Sequence, residues 1–177
     1  MSYKQIPDYP ENFSSGNIVS RFLDGLGNRY YWATEGLSEK DLHYKPSKEA
    51  MSAYTTIEHM YWLSILIVNS PQGKTCIRLT QNDLSPLTFN DLREKTLQNI
   101  KKASELCLGK TEKEIEKFKI IIQNTKESEK REFPFWNAIN GPIADAMYHT
   151  GQIVSFRRTT ENPIHSKYNV FLGKVLE

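Results

Sequence analysis

The sequence is poor in cysteine and carries almost no excess charge. Its 177 residues include only two cysteines, Cys76 and Cys107, and they form no CxxC pair. So few thiols suit a reducing compartment and argue against a disulfide framework. The 23 basic and 21 acidic residues give a formal net charge of +2. We therefore expect no field strong enough to attract nucleic acid or anionic lipid.

Long apolar runs are also missing. The longest, from Met60 to Val68, is far shorter than the roughly 20 residues that cross a bilayer, so it predicts a core helix and no membrane association. The polar N-terminal segment lacks the apolar core of a secretory signal, which predicts a cytoplasmic protein. The length suits a single domain over residues 1–177.

Helical periodicity is the main pattern that the sequence does contain. Apolar residues recur at steps of three and four, and the helix limits carry capping residues such as Thr88, which has Asp91 three positions later. A break is expected at Gly141-Pro142, because proline either starts a new helix or kinks a long one. The charge-dense segment 110–131 is compatible with a short helix, a strand or a loop. The four predicted helices cover residues 17–37, 55–69, 88–108 and 133–160.

Four long helical patterns with short connections favour an all-α fold, a four-helix bundle, over any βαβ arrangement. On the second helix, His59 shares the most apolar stripe, so we expect it to point into the core. On the fourth helix, Asp145 and His149 are four residues apart and therefore lie on the same face, together with Gln152. Arg157 lies about 80° from His149 around the helix axis and is expected at the edge of the same pocket.

Buried polar groups on these two helices need partners. An unpaired carboxylate or imidazole in a small core would cost a few kcal/mol, and a divalent cation held by His59, Asp145 and His149 would satisfy all three. The alternative is that Asp145 and His149 only hydrogen-bond to each other. Trp62 lies on the same side of its helix as His59 and is a candidate substrate contact, although aromatic residues at helical spacing more often fill core volume.

The order of the helices, the segment IEHMYWLS around His59 and the segment ADAMYHTGQIVSFRRTTENP around His149 resemble the DinB-like (YfiT-type) four-helix-bundle superfamily. The resemblance covers nearly the whole chain. It implies a nickel or zinc site, with iron as a further option, built from one histidine of helix two and from HxxxH followed by a Gly-Gln pair. Here Asp145 occupies the first HxxxH position, and His149 the second. The departure keeps a ligand type but changes its charge and softness.

The resemblance also implies a thiol-dependent S-transferase, or a hydrolase, that acts on a small molecule with a low-molecular-weight thiol as cosubstrate. Gln152, Arg157 and Trp62 are then the expected substrate-binding residues, and pairing into a homodimer through exposed apolar faces is an option. The rival hypothesis is a noncatalytic helical-bundle protein that keeps the site as a structural or vestigial metal or ligand site.

Overall fold

A computed structural model describes residues 3–177, and these form a mostly helical protein with a small sheet. None of the helices in this range has the length and apolar character needed to span a bilayer. The elements are, in chain order, α1 (Ser15–Thr34), α2 (Glu39–His43), α3 (Ala53–Asn69), a 3-10 turn (Ser70–Gln72), β1 (Thr75–Ile77), α4 (Gln81–Leu84), α5 (Phe89–Cys107), α6 (Glu112–Ile115), β2 (Lys119–Gln123), β3 (Arg131–Pro134), α7 (Trp136–Ala138), a π-helical turn (Ile139–Ile143), α8 (Ala144–Thr159), β4 (Tyr168–Asn169) and β5 (Lys174–Val175).

The four long helices enclose the hydrophobic core. Helix α5 packs against α1 and α3, and α8 packs against the same two helices. Their inward stripes are buried, with Tyr30 on α1, Met60 on α3, Ile100 on α5 and Ile153 on α8 all inaccessible to solvent. Each such side chain contributes about 1.5 to 3 kcal/mol by leaving water. The predicted helical character is therefore confirmed, while the DinB-like identity of the fold stays a prediction.

The helix limits follow from local capping. In the capping box of α5, the Thr88 hydroxyl accepts from the backbone N–H of Asp91, and the Asp91 carboxylate accepts from the backbone N–H of Thr88. The box satisfies two of the backbone N–H groups that a helix leaves unpaired at its start. Helix α5 ends before Gly109, which has a φ of 75°. Both limits agree with the sequence-based prediction.

Two glycines of α1 mark close approaches to other segments. A Cβ on Gly16 would lie 2.2 Å from the carbonyl oxygen of Cys107, and one on Gly27 would lie 2.5 Å from the ring of Tyr3. Both distances are far below van der Waals contact. Glycine at these two positions thus permits α1 to pack tightly against its neighbours.

The small sheet is the main feature that the sequence did not predict. The undecided segment 110–131 contains α6 and β2, and β2 pairs in parallel with β1 and antiparallel with β3. Residues 133 and 134, assigned to the fourth helix from the sequence, belong to β3 instead. Ile120 of β2 is buried. The strand was hidden because lysines and glutamates surround its short apolar core.

The predicted break at Gly141-Pro142 is confirmed. The chain forms a π-helical turn there, and Gly141 leaves helical geometry with φ −97° and ψ −109°. Pro142 has no N–H to donate to the preceding turn, so continuous α-helical bonding is impossible at this point. Helix α8 restarts at Ala144, which places Asp145 in its first turn.

A buried polar cluster ties the other end of α8 to α1 and α2. Arg157, 4% exposed, donates to the backbone carbonyls of Trp32, Ala33 and Glu35 at 2.8 to 3.1 Å and to that of Asn162 at 2.6 Å. The carbonyls of Trp32, Ala33 and Glu35 belong to or follow the last turn of α1, where they have no partners within the helix. Arg157 therefore satisfies the C-terminal end of α1.

Asp41 of α2 is the acidic member of the same cluster. Its carboxylate accepts from the hydroxyl of Thr160, from the side-chain amide of Asn162 and from the backbone and hydroxyl of Ser38. Burial alone would raise the pKa of Asp41, but these hydrogen bonds outweigh it and lower the pKa to about 2. The ionised form is thus favoured by folding.

We predict that Asp41→Asn lowers the free energy of unfolding by about 2 kcal/mol at pH 7. The pKa is lower in the folded than in the unfolded chain, so the stabilisation is complete above the unfolded value and disappears as the pH falls towards about 2. Urea unfolding at pH 7 and pH 3 should show the gap between the two proteins narrowing at the lower pH. Asp83→Asn, in the exposed capping box of α4, is the matched control and should cost less. An equal gap at both pH values would contradict the prediction.

Candidate metal centre

The structure brings together the three residues that were predicted to bind a metal. His59 comes from the middle of α3, while Asp145 and His149 lie one turn apart at the start of α8. Their ligand atoms, one from each residue, all lie within 4.8 Å of one another. Packing of α3 against α8 produces this cluster from positions 86 residues apart in sequence.

The Asp145 carboxylate lies between the two imidazoles. Its Oδ2 is 3.2 Å from Nε2 of His59, and its Oδ1 is 3.3 Å from Nε2 of His149. Ligand bonds to zinc are about 2.0 to 2.2 Å, so neighbouring donors around a tetrahedral ion are separated by about 3.4 Å. The two carboxylate-to-imidazole distances are close to this value, but they run to different carboxylate oxygens and equal the distances of direct hydrogen bonds.

The two imidazole rings contact each other and differ in their exposure to solvent. They meet edge to face, with centroids 4.9 Å apart and an angle of 86° between their planes. The His149 side chain is only 9% exposed, whereas His59 and Asp145 are 36% and 42% exposed. The prediction that His59 points into the core is therefore wrong: this ring lies at the core boundary, because α8 covers one side of it and solvent reaches the other.

The charge of the cluster favours a cation. Asp145 lies in the first turn of α8, where the helix dipole stabilises a carboxylate, and an ionised carboxylate beside two imidazoles attracts a cation. Oxygen and imidazole nitrogen together suit first-row divalent metals. Partial exposure leaves part of any bound ion accessible to water or to a ligand.

The three predicted substrate contacts occupy three different environments. Gln152 touches the site, since its Oε1 lies 2.6 Å from Nδ1 of His149. Trp62, one turn after His59 on α3, is half-buried and packs against the hydrophobic core. Arg157 is committed to the backbone carbonyls at the end of α1.

The expected place of Arg157 at the pocket edge is thus not where the structure puts it. An angle around one helix gives direction but says nothing about which neighbouring element lies there, and here that element is the end of α1. The Asp145 carboxylate likewise faces the two imidazoles and not Arg157.

Tyr148 is a neighbour of the site that was not predicted from the sequence. Its ring packs edge to face on that of His149 with a centroid distance of 5.5 Å, and it is 64% exposed. Adjacent helical residues normally diverge by about 100°, so helical spacing offers no signal for this contact. Tyr148 therefore forms an exposed aromatic rim beside the buried imidazole.

The cysteines lie outside the cluster. Both are free and buried, and burial raises the pKa of each thiol, that of Cys107 to about 12. A thiol in such an environment stays protonated near neutral pH and is a poor nucleophile. We therefore interpret Cys76 and Cys107 as structural residues.

Comparisons of the chain with protein-family models, with curated proteins and with solved structures found no match. The resemblance to the DinB-like superfamily therefore depends on the order of the helices and on the residues around His59 and His149.

We predict that Asp145→His raises the affinity for nickel and zinc by about tenfold or more, equivalent to at least about 1.4 kcal/mol, because imidazole suits these metals better than a carboxylate does. Competitive titration against a chromogenic chelator measures the change. His149→Ala should abolish binding, while His43→Ala, at an exposed site outside the cluster, should leave it unaltered. Equal affinities in the wild type and all three variants would remove this cluster from consideration as a metal site.

Proposed function

We propose that the protein is a metal-dependent enzyme of the DinB-like superfamily that acts on a small molecule, with His59, Asp145 and His149 as the ligands of one divalent cation. The observation that supports this most directly is the convergence of two imidazoles and a carboxylate from facing helices, with carboxylate-to-imidazole distances of 3.2 and 3.3 Å. Helical bundles commonly build metal sites in this way.

Nickel or zinc is the proposed metal, and iron is the alternative. Three protein ligands leave coordination positions open, which is typical of catalytic rather than structural zinc sites. The same donor set, two histidines and one carboxylate, is also used for nonhaem iron. When bound, the cation would act as a Lewis acid that lowers the pKa of water or of a thiol.

The proposed reaction is transfer of a thiol to an electrophilic substrate, or hydrolysis of that substrate. Since both cysteines are buried with raised pKa values, the nucleophile would come from a low-molecular-weight thiol or from water. The exposed edges of His59 and Asp145 give such a molecule access, and the rings of Tyr148 and Trp62 would border it. His149, held inside, would fix the position of the cation.

A noncatalytic role is the second candidate. The observation in its favour is that the Asp145 carboxylate already lies within hydrogen-bonding distance of both imidazoles, so the cluster can join α3 to α8 without a cation. In that case the site would contribute to stability alone.

We predict that protein purified without an affinity tag binds about one zinc or nickel ion per chain. A ligand at 100 times its dissociation constant adds about 2.7 kcal/mol to the stability of the folded state. For a domain of this size that corresponds to a rise of about 5 to 10 °C in melting temperature. Elemental analysis and thermal unfolding with added metal measure both quantities. Absence of metal together with an unaltered melting temperature would exclude the metal-dependent function.

We further predict a metal-dependent reaction between an electrophile and a low-molecular-weight thiol. A panel of alkyl halides, epoxides and activated esters, each tested with several thiols and with water alone, separates transferase from hydrolase activity. Activity should disappear in His149→Ala and persist when Cys76 and Cys107 are replaced by serine or alanine in a variant that still folds. If no combination shows a metal-dependent rate although the metal binds, the noncatalytic role is favoured.

A further inference from the structure

Gln152 makes the shortest polar contact in the metal cluster. It follows His149 by three residues on α8, a spacing that brings two side chains onto the same helix face. Its Oε1 lies 2.6 Å from Nδ1 of His149, whose side chain is almost fully buried. The side-chain amide of Gln152 thus reaches the ring nitrogen that faces away from Asp145.

This contact determines where His149 carries its proton. A carbonyl oxygen can only accept a hydrogen bond, so Nδ1 of His149 must be the donor. A neutral imidazole has one N–H, and its Nε2 therefore presents a lone pair. That lone pair faces Oδ1 of Asp145 at 3.3 Å. The neutral ring and the carboxylate then present two acceptors to each other, which either a proton on Nε2 or a metal cation between them would satisfy.

His59 is not constrained in the same way. Among residues 3–177, its hydrogen bond is the one between Nε2 and Oδ2 of Asp145, and its Nδ1 has no protein partner. His59 can donate an N–H to the carboxylate and still satisfy both groups. The ring that presents a lone pair to Asp145 when it is neutral is therefore that of His149, and this tautomer depends on Gln152.

We propose that Gln152 is a positioning residue that holds His149 in the tautomer whose Nε2 binds the cation. The inference depends on the proposed metal site and replaces the substrate-binding role expected for Gln152 from the sequence. Histidines that bind metals usually donate their other N–H to an acceptor, which fixes the ring orientation and increases the basicity of the ligand nitrogen. Here the acceptor is a side-chain amide from the same helix.

Two substitutions of similar size separate this role from simple packing. Gln152→Leu removes the acceptor, and Gln152→Glu keeps an acceptor oxygen and adds charge. Gln98→Leu is the matched control, because Gln98 is an exposed helical glutamine bonded to the residue four positions earlier on α5. The dissociation constants of zinc and nickel are measured with untagged protein by competition with a chromogenic chelator.

We expect Gln152→Leu to weaken zinc and nickel binding by about 10- to 100-fold, the usual effect of losing such an outer partner. Gln152→Glu should bind at least as tightly as the wild type, and Gln98→Leu should be unaltered. In the zinc-loaded protein, ¹⁵N spectra should show a protected, hydrogen-bonded Nδ1–H on His149 in the wild type and in Gln152→Glu. In Gln152→Leu that resonance should shift and its protection from exchange should fall.

Equal affinity and an unaltered Nδ1–H resonance in Gln152→Leu would overturn the inference while leaving the metal site intact. Equal weakening in Gln152→Leu and Gln152→Glu would also overturn it, because loss of packing would then explain the effect. A wild-type protein that binds neither metal fails at an earlier step: it refutes the proposed function, and the inference with it.

Discussion

The Asp145 carboxylate lies within reach of imidazoles from two different helices. The packing of the remaining elements keeps these two helices in place. One carboxylate oxygen lies 3.2 Å from a ring nitrogen of His59 and the other 3.3 Å from a ring nitrogen of His149, an arrangement that tolerates little movement of α3 against α8. His149 lies on the same helix as Asp145, so the contact of the cluster that joins α3 to α8 is the one between His59 and Asp145. The spacing of the two helices is therefore the quantity that the fold must hold fixed.

Helix α8 is held at both of its ends. Its first turn carries the carboxylate, and its last turn carries Arg157, which is bonded to the carbonyls at the end of α1. Between them Ile153 lies fully buried in the core. Because one rigid helix connects the polar cluster around Asp41 to the candidate metal centre, the position of α8 along its axis is determined from the end opposite to the metal ligands. The cluster around Asp41 and the candidate metal centre contain different polar residues, and α8 connects them.

Much of the helical framework could be predicted because its causes are local. Apolar spacing and the capping box of Thr88 and Asp91 depend on residues a few positions apart, and so does the placement of Asp145 beside His149 on one face. The elements that depend on contacts between distant parts of the chain could not be predicted from the sequence. The strand around Ile120 exists only because β1 and β3 pair with it, and charged residues on either side hide its pattern.

The candidate site shows the same division. Its three ligands could be proposed from spacing and resemblance, but the exposure of His59 and the destination of Arg157 depend on which helix lies opposite. Gln152 was predicted to lie at the site, and it contacts His149 there, while its role as a substrate contact stays a prediction. Helical spacing in a single sequence predicts the direction in which a side chain points from its own helix. Which residue it contacts depends on which other helix packs against that face.

The interruption at Gly141-Pro142 has a consequence for how the chain can tolerate insertions and deletions. Each residue added inside an α-helix turns everything beyond it by about 100°. An extra residue before Pro142 would be absorbed by the irregular π-helical turn, so that α8 would keep its rotation relative to α3. The same insertion between Asp145 and His149 would place the two side chains on different faces. The break thus separates a region where length can vary from one in which the number of residues is fixed by geometry.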